Sequence, residues 1–509
     1  MENSAARWLQ DVARRFPDKV GIEDEKGSFT WAELEDVAVR GASGLLACGV
    51  GNNRPVLVYL PKSRESVASF MAALFAGCPY AAVDYAIPLA RLEQTVANLR
   101  PAAVITGEEG RQRLEGLDLA GAQVLLYGDL AKTDPDRPGV AAALGNVVDT
   151  DPIYIMYTSG STGTPKGVTI AHRGVLDYAP WVVDTFGLTE ESVLGMQSGF
   201  HFDNCVFDLY GCMMTGAKLV IIPEVLFMYP RELMDFLEEK QVTCIFWVPT
   251  VMISVANSGT LEGRTLPHLK TVAFAGEVMP NKQLNVWRRA LPQCQFANLY
   301  GPTEITDVCC CYVVDRPFAD HESLPIGKPC ANSRVMLLTE DNRLAAPGEE
   351  GEICVAGSCL ALGYWNEPEL TNRAFVQNPR NPAVPERIYR TGDLGYWNER
   401  GELIFCGRRD FQIKLRGNRI ELGDIETAAS TLPGAEKVCA LFDPSAQEIL
   451  LVIQGRESFS LRRVNLALGQ MLPKYMLPRR LEVVEAMPLT ASRKIDRVSL
   501  KKRFIPKEN

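Results

Sequence analysis

One glycine- and hydroxyl-rich segment, residues 157–167, has the clearest capacity for chemistry. It reads YTSGSTGTPKG and lies between two apolar segments typical of buried strands, residues 153–156 and 168–170. Glycines allow backbone N–H groups to converge on one point, hydroxyls add hydrogen-bond donors, and Lys166 adds a compact positive charge, so the segment is suited to hold a polyphosphate. A flexible linker of this composition would not be expected between two strands or to contain that lysine. The Walker loop is excluded, because a proline precedes the lysine and a glycine follows it.

This segment resembles the phosphate loop of the adenylate-forming superfamily, which comprises acyl-CoA synthetases, luciferases and the adenylation domains of peptide synthetases. Other motifs resemble that family in its own order along nearly the whole chain; they are FTWAEL (29–34), AGCPY (76–80), NLYGPTE (298–304), YRTGD (389–393), GRRDFQIK (407–414), RIEL (419–422), LPKYM (472–476) and KIDR (494–497). The resemblance implies an α/β fold with a large N-terminal body of packed α/β subdomains, residues 1–409. A small, mobile α+β C-terminal domain, residues 410–509, would follow a hinge at Asp410.

The resemblance implies catalytic roles for four residues. A carboxylate that attacks the α-phosphorus of ATP brings two anions together, so positive charge must be placed there in advance. Lys494 would reach the carboxylate and the α-phosphate as the principal catalytic residue, although Ser492-Arg493 stands where the family usually has Asn-Gly. Glu304 would bind Mg²⁺ through its oxygens, with Thr303 at the phosphates and Lys166 as a further cation.

A nucleotide site follows from the same resemblance. Tyr300 would stack on adenine, Asn298 would contact the adenine edge, and Asp393 would hold the ribose hydroxyls with Arg408 beside it. The complete set of implied nucleotide-binding residues is Thr158, Ser159, Gly160, Ser161, Thr162, Gly163, Gly276, Glu277, Asn298, Tyr300, Gly301, Asp393 and Arg408.

The segment FDNCVF (202–207) resembles the place where amino-acid-activating members have an aspartate that pairs with the substrate ammonium. Such a buried pair discriminates against acids without the amine, because Asp203 would be left unpaired. An α-amino acid is therefore the expected substrate. Asp307 is unusual in the pocket: facing the cavity it would favour a hydroxylated or basic side chain, and facing solvent it would carry no information. The implied pocket residues are Asp203, Asn204, Phe207, Phe246, Ala273, Ala275, Leu299, Asp307 and Val308.

The expected reaction has two halves. The amino-acid carboxylate attacks ATP to give aminoacyl-AMP and pyrophosphate, and the phosphopantetheine thiol of a carrier protein then displaces AMP. Residues 274–280 and 407–426 resemble the D-alanine–carrier protein ligases, but Ala275 and Asp307 depart from that subgroup. The alternatives are therefore a D-alanine–carrier protein ligase, an acyl-CoA synthetase for a non-amino acid, a ligase that makes an amide or ester, and an inactive adenylate-binding protein.

The elements that must position these residues alternate between helix and strand over the first four hundred residues, which favours an α/β fold. Residues 8–16 and 67–75 have helical patterns, and residues 219–222 and 242–248 are apolar runs suited to buried strands. The C-terminal part reads as strand 412–415, helix 425–432, strands 438–442 and 449–453, then a helix and a strand, which is typical of a compact α+β domain.

Composition and charge argue against several classes of protein. The 509 residues are 47% hydrophobic and carry a net charge of −9, which is the wrong sign for a protein that mainly binds nucleic acid. We find no apolar run near the roughly 18 residues of a membrane span and no signal peptide at the start, so a cytoplasmic location and no membrane insertion are expected. The 14 cysteines and four histidines form no disulfide or zinc pattern.

The charge is unevenly distributed. Residues 411–509 contain 17 lysines and arginines against 11 acidic residues, a balance of +6, which leaves −15 for residues 1–410. This balance indicates either a solvated face or a basic surface for an acidic partner. The dozen residues after Arg497 are too few for a carrier domain, so the carrier protein is expected to act in trans unless the chain is excised from a longer protein.

Overall fold

The apolar runs of the sequence form buried strands, and the segments between them form helices. The computed structural model describes residues 2–159, 164–409, 412–455, 459–488 and 495–505, and within these ranges the expected α/β fold is confirmed. The strands up to residue 329 are β1 (Val20–Asp24), β2 (Gly27–Thr30), β3 (Val56–Tyr59), β4 (Tyr80–Ala82), β5 (Ala103–Thr106), β6 (Gln123–Leu126), β7 (Pro152–Thr158), β8 (Lys166–Ala171), β9 (Val193–Met196), β10 (Lys218–Ile221), β11 (Cys244–Trp247), β12 (Thr271–Ala275), β13 (Gln295–Tyr300), β14 (Cys310–Val313) and β15 (Lys328–Pro329).

The helices of the same part surround these strands. They are α1 (Arg7–Arg15), α2 (Trp31–Ala47), α3 (Arg64–Phe75), α4 (Leu89–Leu99), α5 (Glu108–Leu114), α6 (Tyr127–Leu130), α7 (Arg137–Gly145), α8 (His172–Phe186), α9 (Cys205–Thr215), α10 (Pro230–Glu239), α11 (Pro249–Asn257) and α12 (Asn281–Ala290), with a 3₁₀ turn at Glu224–Met228.

Two large sheets form the centre of the molecule. The first has the order β18-β8-β7-β4-β3-β5-β6, in which β18 is Gly363–Tyr364, β3 to β7 run parallel and β8 runs antiparallel to β7. The second has the order β15-β14-β13-β12-β11-β9-β10-β1-β2, with a parallel centre from β1 to β13. Parallel strands must be covered on both faces, which explains why β3, β5, β11 and β12 consist of buried residues throughout.

An antiparallel sheet follows and joins the motif at residues 389–393 to the motif at 407–414. Its elements are β16 (Ser333–Leu338), β17 (Gly351–Gly357), β19 (Phe375–Gln377), β20 (Arg387–Trp397) and β21 (Leu403–Arg408), while β18 (Gly363–Tyr364) extends the first large sheet and α13 (Pro368–Ala374) lies between β18 and β19.

The C-terminal part has hydrophobic clusters of its own, which draw on residues 413–505 alone. A hairpin of β22 (Gln412–Leu415) and β23 (Asn418–Glu421) is followed by a sheet with the order β24-β25-β26. The elements after the hairpin are α14 (Leu422–Ser430), β24 (Ala435–Asp443), β25 (Glu448–Gly455), α15 (Leu461–Leu468), a 3₁₀ turn at Lys474–Met476, β26 (Arg480–Val484) and α16 (Arg497–Phe504).

Local sequence explains several boundaries. Thr30 and Glu33 form a capping box that starts α2, and the predicted stop after residue 75 coincides with Gly77 at φ 69°. The helix expected at 425–432 begins earlier, at Leu422, because its first turn buries Leu422 and Asp424 as well as the apolar residues that follow. Among the described residues we find no helix with both the length and the hydropathy needed to cross a bilayer.

Candidate active site

One cavity lies where the carboxyl ends of strands from both large sheets meet. With its open mouth it measures about 1200 Å³. Its walls include residues that directly follow β4, β7, β12 and β13, together with residues of the β22–β23 hairpin. The carboxyl edge of parallel strands is the usual position for ligands in α/β folds, so this cavity is the candidate active site.

Many of the residues that the sequence analysis predicts for the nucleotide and substrate sites lie together at this cavity. Those that line it are Thr158, Ser159, Asp203, Asn204, Ala275, Gly276, Gly301, Thr303, Asp307, Asp393 and Arg408. Other selected residues, Lys166, Glu277, Asn298, Tyr300 and Glu304, do not line it themselves but contact its walls or pack close behind them. The selected pocket residues that are buried without lining it are Phe207, Phe246, Ala273, Leu299 and Val308. The residues Gly160, Ser161, Thr162, Gly163, Asp410 and Lys494 lie outside the described residues.

The end of β7 supplies hydroxyls to the cavity. The Oγ1 atom of Thr158 is buried and has no hydrogen-bond partner within the described ranges. The Oγ atom of Ser159 donates to the backbone carbonyl of Arg419 at 2.9 Å and accepts from the backbone N–H of Glu421 at 3.2 Å. An unpartnered buried hydroxyl is costly, so Thr158 fits a site where a polar ligand supplies the missing hydrogen bond.

Glu304 is fully buried behind this hydroxyl edge. Its Oε1 atom accepts a hydrogen bond from the Tyr364 hydroxyl at 2.6 Å and lies 3.3 Å from Lys166 Nζ. Its Oε2 atom lies 2.5 Å from Arg419 Nη1. Burial raises the pKa of Glu304, but the charges of Arg419 and Lys166 outweigh it and hold the pKa well below its usual range. Glu304 is therefore an ionised carboxylate, suited to bind a cation.

Asp393 is held by two neighbours. Arg408 Nη1 lies 2.6 Å from its Oδ1 atom, and the Tyr300 hydroxyl donates to its Oδ2 atom at 2.5 Å. Asn298 donates through Nδ2 to the carbonyl of Pro325 at 2.8 Å. The carboxylate is thus fixed at the cavity wall, while the ribose and adenine roles of these residues stay predictions.

The β22–β23 hairpin closes one side of the cavity. The backbone N–H of Gly417 donates to Glu277 Oε1 at 2.9 Å, and Thr250 donates to Glu277 Oε2. Gly417 has φ 77°, and a Cβ atom there would meet Val248 at 2.7 Å, so glycine is needed at this contact. Lys414 of the same hairpin lines the cavity; burial lowers its pKa, while the charges of Asp393 and Asp203 act in the opposite direction.

Two aspartates face the cavity from the large body. Burial raises the pKa of Asp203, and a hydrogen bond from Thr303 and the charge of Lys414 act against that rise. Asp307 is 4% exposed, lines the cavity and accepts a hydrogen bond on Oδ2 from the Tyr178 hydroxyl at 2.5 Å. Of the two orientations considered for Asp307, the structure has the one that faces the cavity.

Sequence reasoning assigned no role to Lys414, Arg419, Tyr178 or Tyr364. Lys414 and Arg419 lie within the quoted motifs at 407–414 and 419–422, so motif position alone could have selected them. No local signal points to Tyr178 or Tyr364, because their partners are 129 and 60 residues away along the chain.

The close approach of the Asp307 backbone to Gly301 at the cavity wall can be tested by substitution. A Cβ atom at this position would lie 2.1 Å from the backbone carbonyl of Asp307, so Gly301→Ala forces the chain at Asp307 to move. We expect a loss of about 1–3 kcal/mol in unfolding free energy. The measurement is the midpoint of thermal unfolding. Gly145→Ala is the matched control, because nothing lies within 4 Å of the added atom; equal midpoints for the two variants would contradict the close approach.

Comparison with known proteins identifies the family. The profile of the family described as AMP-binding enzyme matches residues 9–365, so the chain belongs to the AMP-binding enzymes. The fold is that of a solved structure, NpsA-ThdA from Klebsiella oxytoca, an artificially fused adenylation and carrier di-domain. The TM-score is 0.83, with 22% sequence identity over 94% of this chain and 93% of that one.

Individual relatives are similar over nearly the whole chain. Tyrocidine synthase 1 of Brevibacillus parabrevis is 31% identical over 98% of this chain, which spans only 45% of that protein. The L-proline–[L-prolyl-carrier protein] ligase of Pseudomonas fluorescens is 30% identical over 97% of this chain and 98% of its own length. The D-alanine–D-alanyl carrier protein ligase of Bacillus licheniformis is 30% identical over the same shares. The two carrier ligases match equally well, so identity does not choose between their substrates.

Proposed function

We propose that this chain activates an amino acid as aminoacyl-AMP with ATP and Mg²⁺ and transfers it to the phosphopantetheine thiol of a carrier protein in trans. The observation that carries this proposal is the position of Asp203, in one cavity with the residues selected for nucleotide. The ionised form of Asp203 would pair with the substrate ammonium and direct the carboxylate toward the phosphates. Two relatives that match over their full length are named amino acid–carrier protein ligases, which supports the same reaction.

The described residues fit ATP and a divalent cation. Thr158 presents a hydroxyl without a partner in the described ranges, Ser159 presents one that the hairpin engages, and Lys166 supplies a positive charge beside Glu304. Glu304 is kept ionised, as an oxygen ligand for Mg²⁺ must be. When bound, Mg²⁺ would neutralise charge on the phosphate oxygens. Asp393, held by Arg408, would accept hydrogen bonds from the ribose.

Two placements of the C-terminal part follow from the two half-reactions. We place the boundary after residue 409 and the hinge at Asp410. The contacts of Gly417 with Glu277 and of Arg419 with Glu304 support a placement in which the hairpin closes the cavity for the transfer step. In this placement Arg419 contacts the carboxylate that we propose as the Mg²⁺ ligand, and we propose that for activation the hairpin withdraws and Lys494 approaches.

Arg419→Ala tests whether the closed placement of the hairpin serves the transfer step rather than the activation step. The change removes the contact that holds the hairpin on Glu304, and breaking a buried ion pair costs about 3–5 kcal/mol. We expect the rate of transfer to the carrier to fall by about 10-fold more than the rate of ATP–pyrophosphate exchange. Single-turnover kinetics of the two steps measure that ratio. Arg463→Ala, on the exposed side of α15, is the control; equal losses in both steps for Arg419→Ala would contradict the two-placement account.

ATP–pyrophosphate exchange over a panel of amino, aryl and fatty acids tests the proposed function as a whole. We expect exchange with at least one α-amino acid and none with the same skeleton lacking the amine. Exchange confined to aryl or fatty acids would instead identify an acyl-CoA synthetase. AMP binding without exchange for any acid would indicate an inactive adenylate-binding protein.

A further inference from the structure

We propose that the substrate is a short diamino acid whose side-chain ammonium pairs with Asp307. This inference rests on the proposed function, and it adds a second charge pair to the one between Asp203 and the α-ammonium. Both carboxylates line the same cavity: Asp203 lies just before α9, and Asp307 lies between β13 and β14.

The backbone fixes Asp307 toward the cavity. Asp307 adopts φ 55°, a left-handed conformation that aspartate tolerates better than most residues. Its carbonyl passes so close to Gly301 that a Cβ atom there would lie 2.1 Å away. Tyr178, itself buried, donates its hydroxyl to Oδ2 at 2.5 Å. Strained backbone, a close approach and a buried hydrogen bond together hold the carboxylate in one position, which is the pattern of a functional residue.

Among the described residues of the large body we find no ion pair with this carboxylate. Within the described part of the chain, Tyr178 supplies the one hydrogen bond to its side chain, and that donor is neutral. Burial and the charge of Asp203 raise the pKa of Asp307 well above its usual range, and Lys414 is the cation that acts against that rise. Lys414 belongs to the hairpin that withdraws in the proposed activation step. A buried carboxyl with a raised pKa keeps its proton until a cation lies beside it, so an ammonium on the substrate would favour the ionised form and pair with it, whereas a hydroxyl would not.

The cavity does not reach several residues that the resemblance places in the substrate pocket. Phe207 and Phe246 are fully buried, their ring centres are 4.8 Å apart, and neither lines the cavity. The ring centre of Phe186 lies 5.3 Å from that of Phe207. The cavity thus ends short of these packed rings, which leaves less room for a long side chain than the resemblance implies. This geometry points to one or two methylene groups between the α-carbon and the second amine.

The test is ATP–pyrophosphate exchange by the whole chain with matched pairs of acids. We expect 2,3-diaminopropionate or 2,4-diaminobutyrate to exceed alanine and 2-aminobutyrate in kcat/KM by about 100-fold, and to exceed lysine as well. Asp307→Asn should abolish that preference, while Asp184→Asn, on the exposed side of α8, should keep it. Tyr178→Phe leaves the charge in place and should lower the preference by less than Asp307→Asn does.

The outcomes separate this inference from the function on which it rests. Exchange with no amino acid at all would contradict the proposed function. A preference for the diamino acids that persists unchanged in Asp307→Asn, or the absence of that preference in the wild type, would overturn the second charge pair alone. A preference for serine over the diamino acids, or for lysine over the shorter ones, would overturn it equally. The wild-type comparison needs no variant, so the inference stays testable if Asp307→Asn does not fold.

Discussion

Lys494→Ala is expected to lower the rate of ATP–pyrophosphate exchange by about 100- to 1000-fold. The reason is electrostatic: as the carboxylate approaches the α-phosphorus, negative charge concentrates between two anions, and an ammonium placed there stabilises the transition state more than the ground state. Transfer from a supplied aminoacyl-AMP to the carrier thiol should persist, because that step has no pyrophosphate to release.

The comparison between the two half-reactions makes this prediction specific. Lys502→Ala removes an equal charge from the exposed side of α16 and should leave both steps unchanged. A loss of exchange and transfer to the same extent in Lys494→Ala would argue for a structural role of the lysine, and full retention of exchange would exclude it as the principal catalytic residue.

Asp203→Asn is expected to reduce kcat/KM for the amino acid by about 30- to 1000-fold, because it leaves the α-ammonium of the bound substrate without its partner. The variant keeps the size of the side chain and its place beside Thr303, so ATP binding should change little. Exchange kinetics with varied amino acid and varied ATP separate the two effects.

A matched substrate strengthens this second prediction. With the same acid lacking the α-amine, Asp203→Asn should be no less active than the wild type. The uncharged amide needs no cation beside it, so the missing ammonium costs the variant nothing. If the variant kept wild-type kcat/KM for the amino acid, Asp203 would not be the ammonium partner, and the amino-acid assignment would lose its main support.

Much of the fold was predictable because it depends on local patterns. The strands expected at 153–156 and 168–170 form within β7 and β8, and the helix expected at 67–75 is the C-terminal part of α3. These segments have apolar residues at the period of the element they form. Boundaries were less predictable: α14 begins at Leu422, since burial of the first turn depends on what packs against it.

Residues of the site were predictable only where they lie within a motif of the family. Asp203, Thr303 and Asp393 were selected by motif, and all line the cavity. The contacts between Arg419 and Glu304 and between Tyr178 and Asp307 join residues 115 and 129 positions apart. No local pattern encodes such pairs, because they arise from how the C-terminal hairpin and α8 pack against the strand ends.

The measurement that tests the central claim most directly is the fate of an oxygen label. The amino acid that gives exchange is prepared with ¹⁸O in its carboxylate and incubated with ATP, Mg²⁺ and the phosphopantetheinylated carrier. If the carboxylate attacks the α-phosphorus and the thiol then breaks the acyl–oxygen bond, one labelled oxygen must appear in AMP for each thioester formed. Labelled inorganic phosphate together with ADP, or AMP without label, would contradict activation through an aminoacyl adenylate.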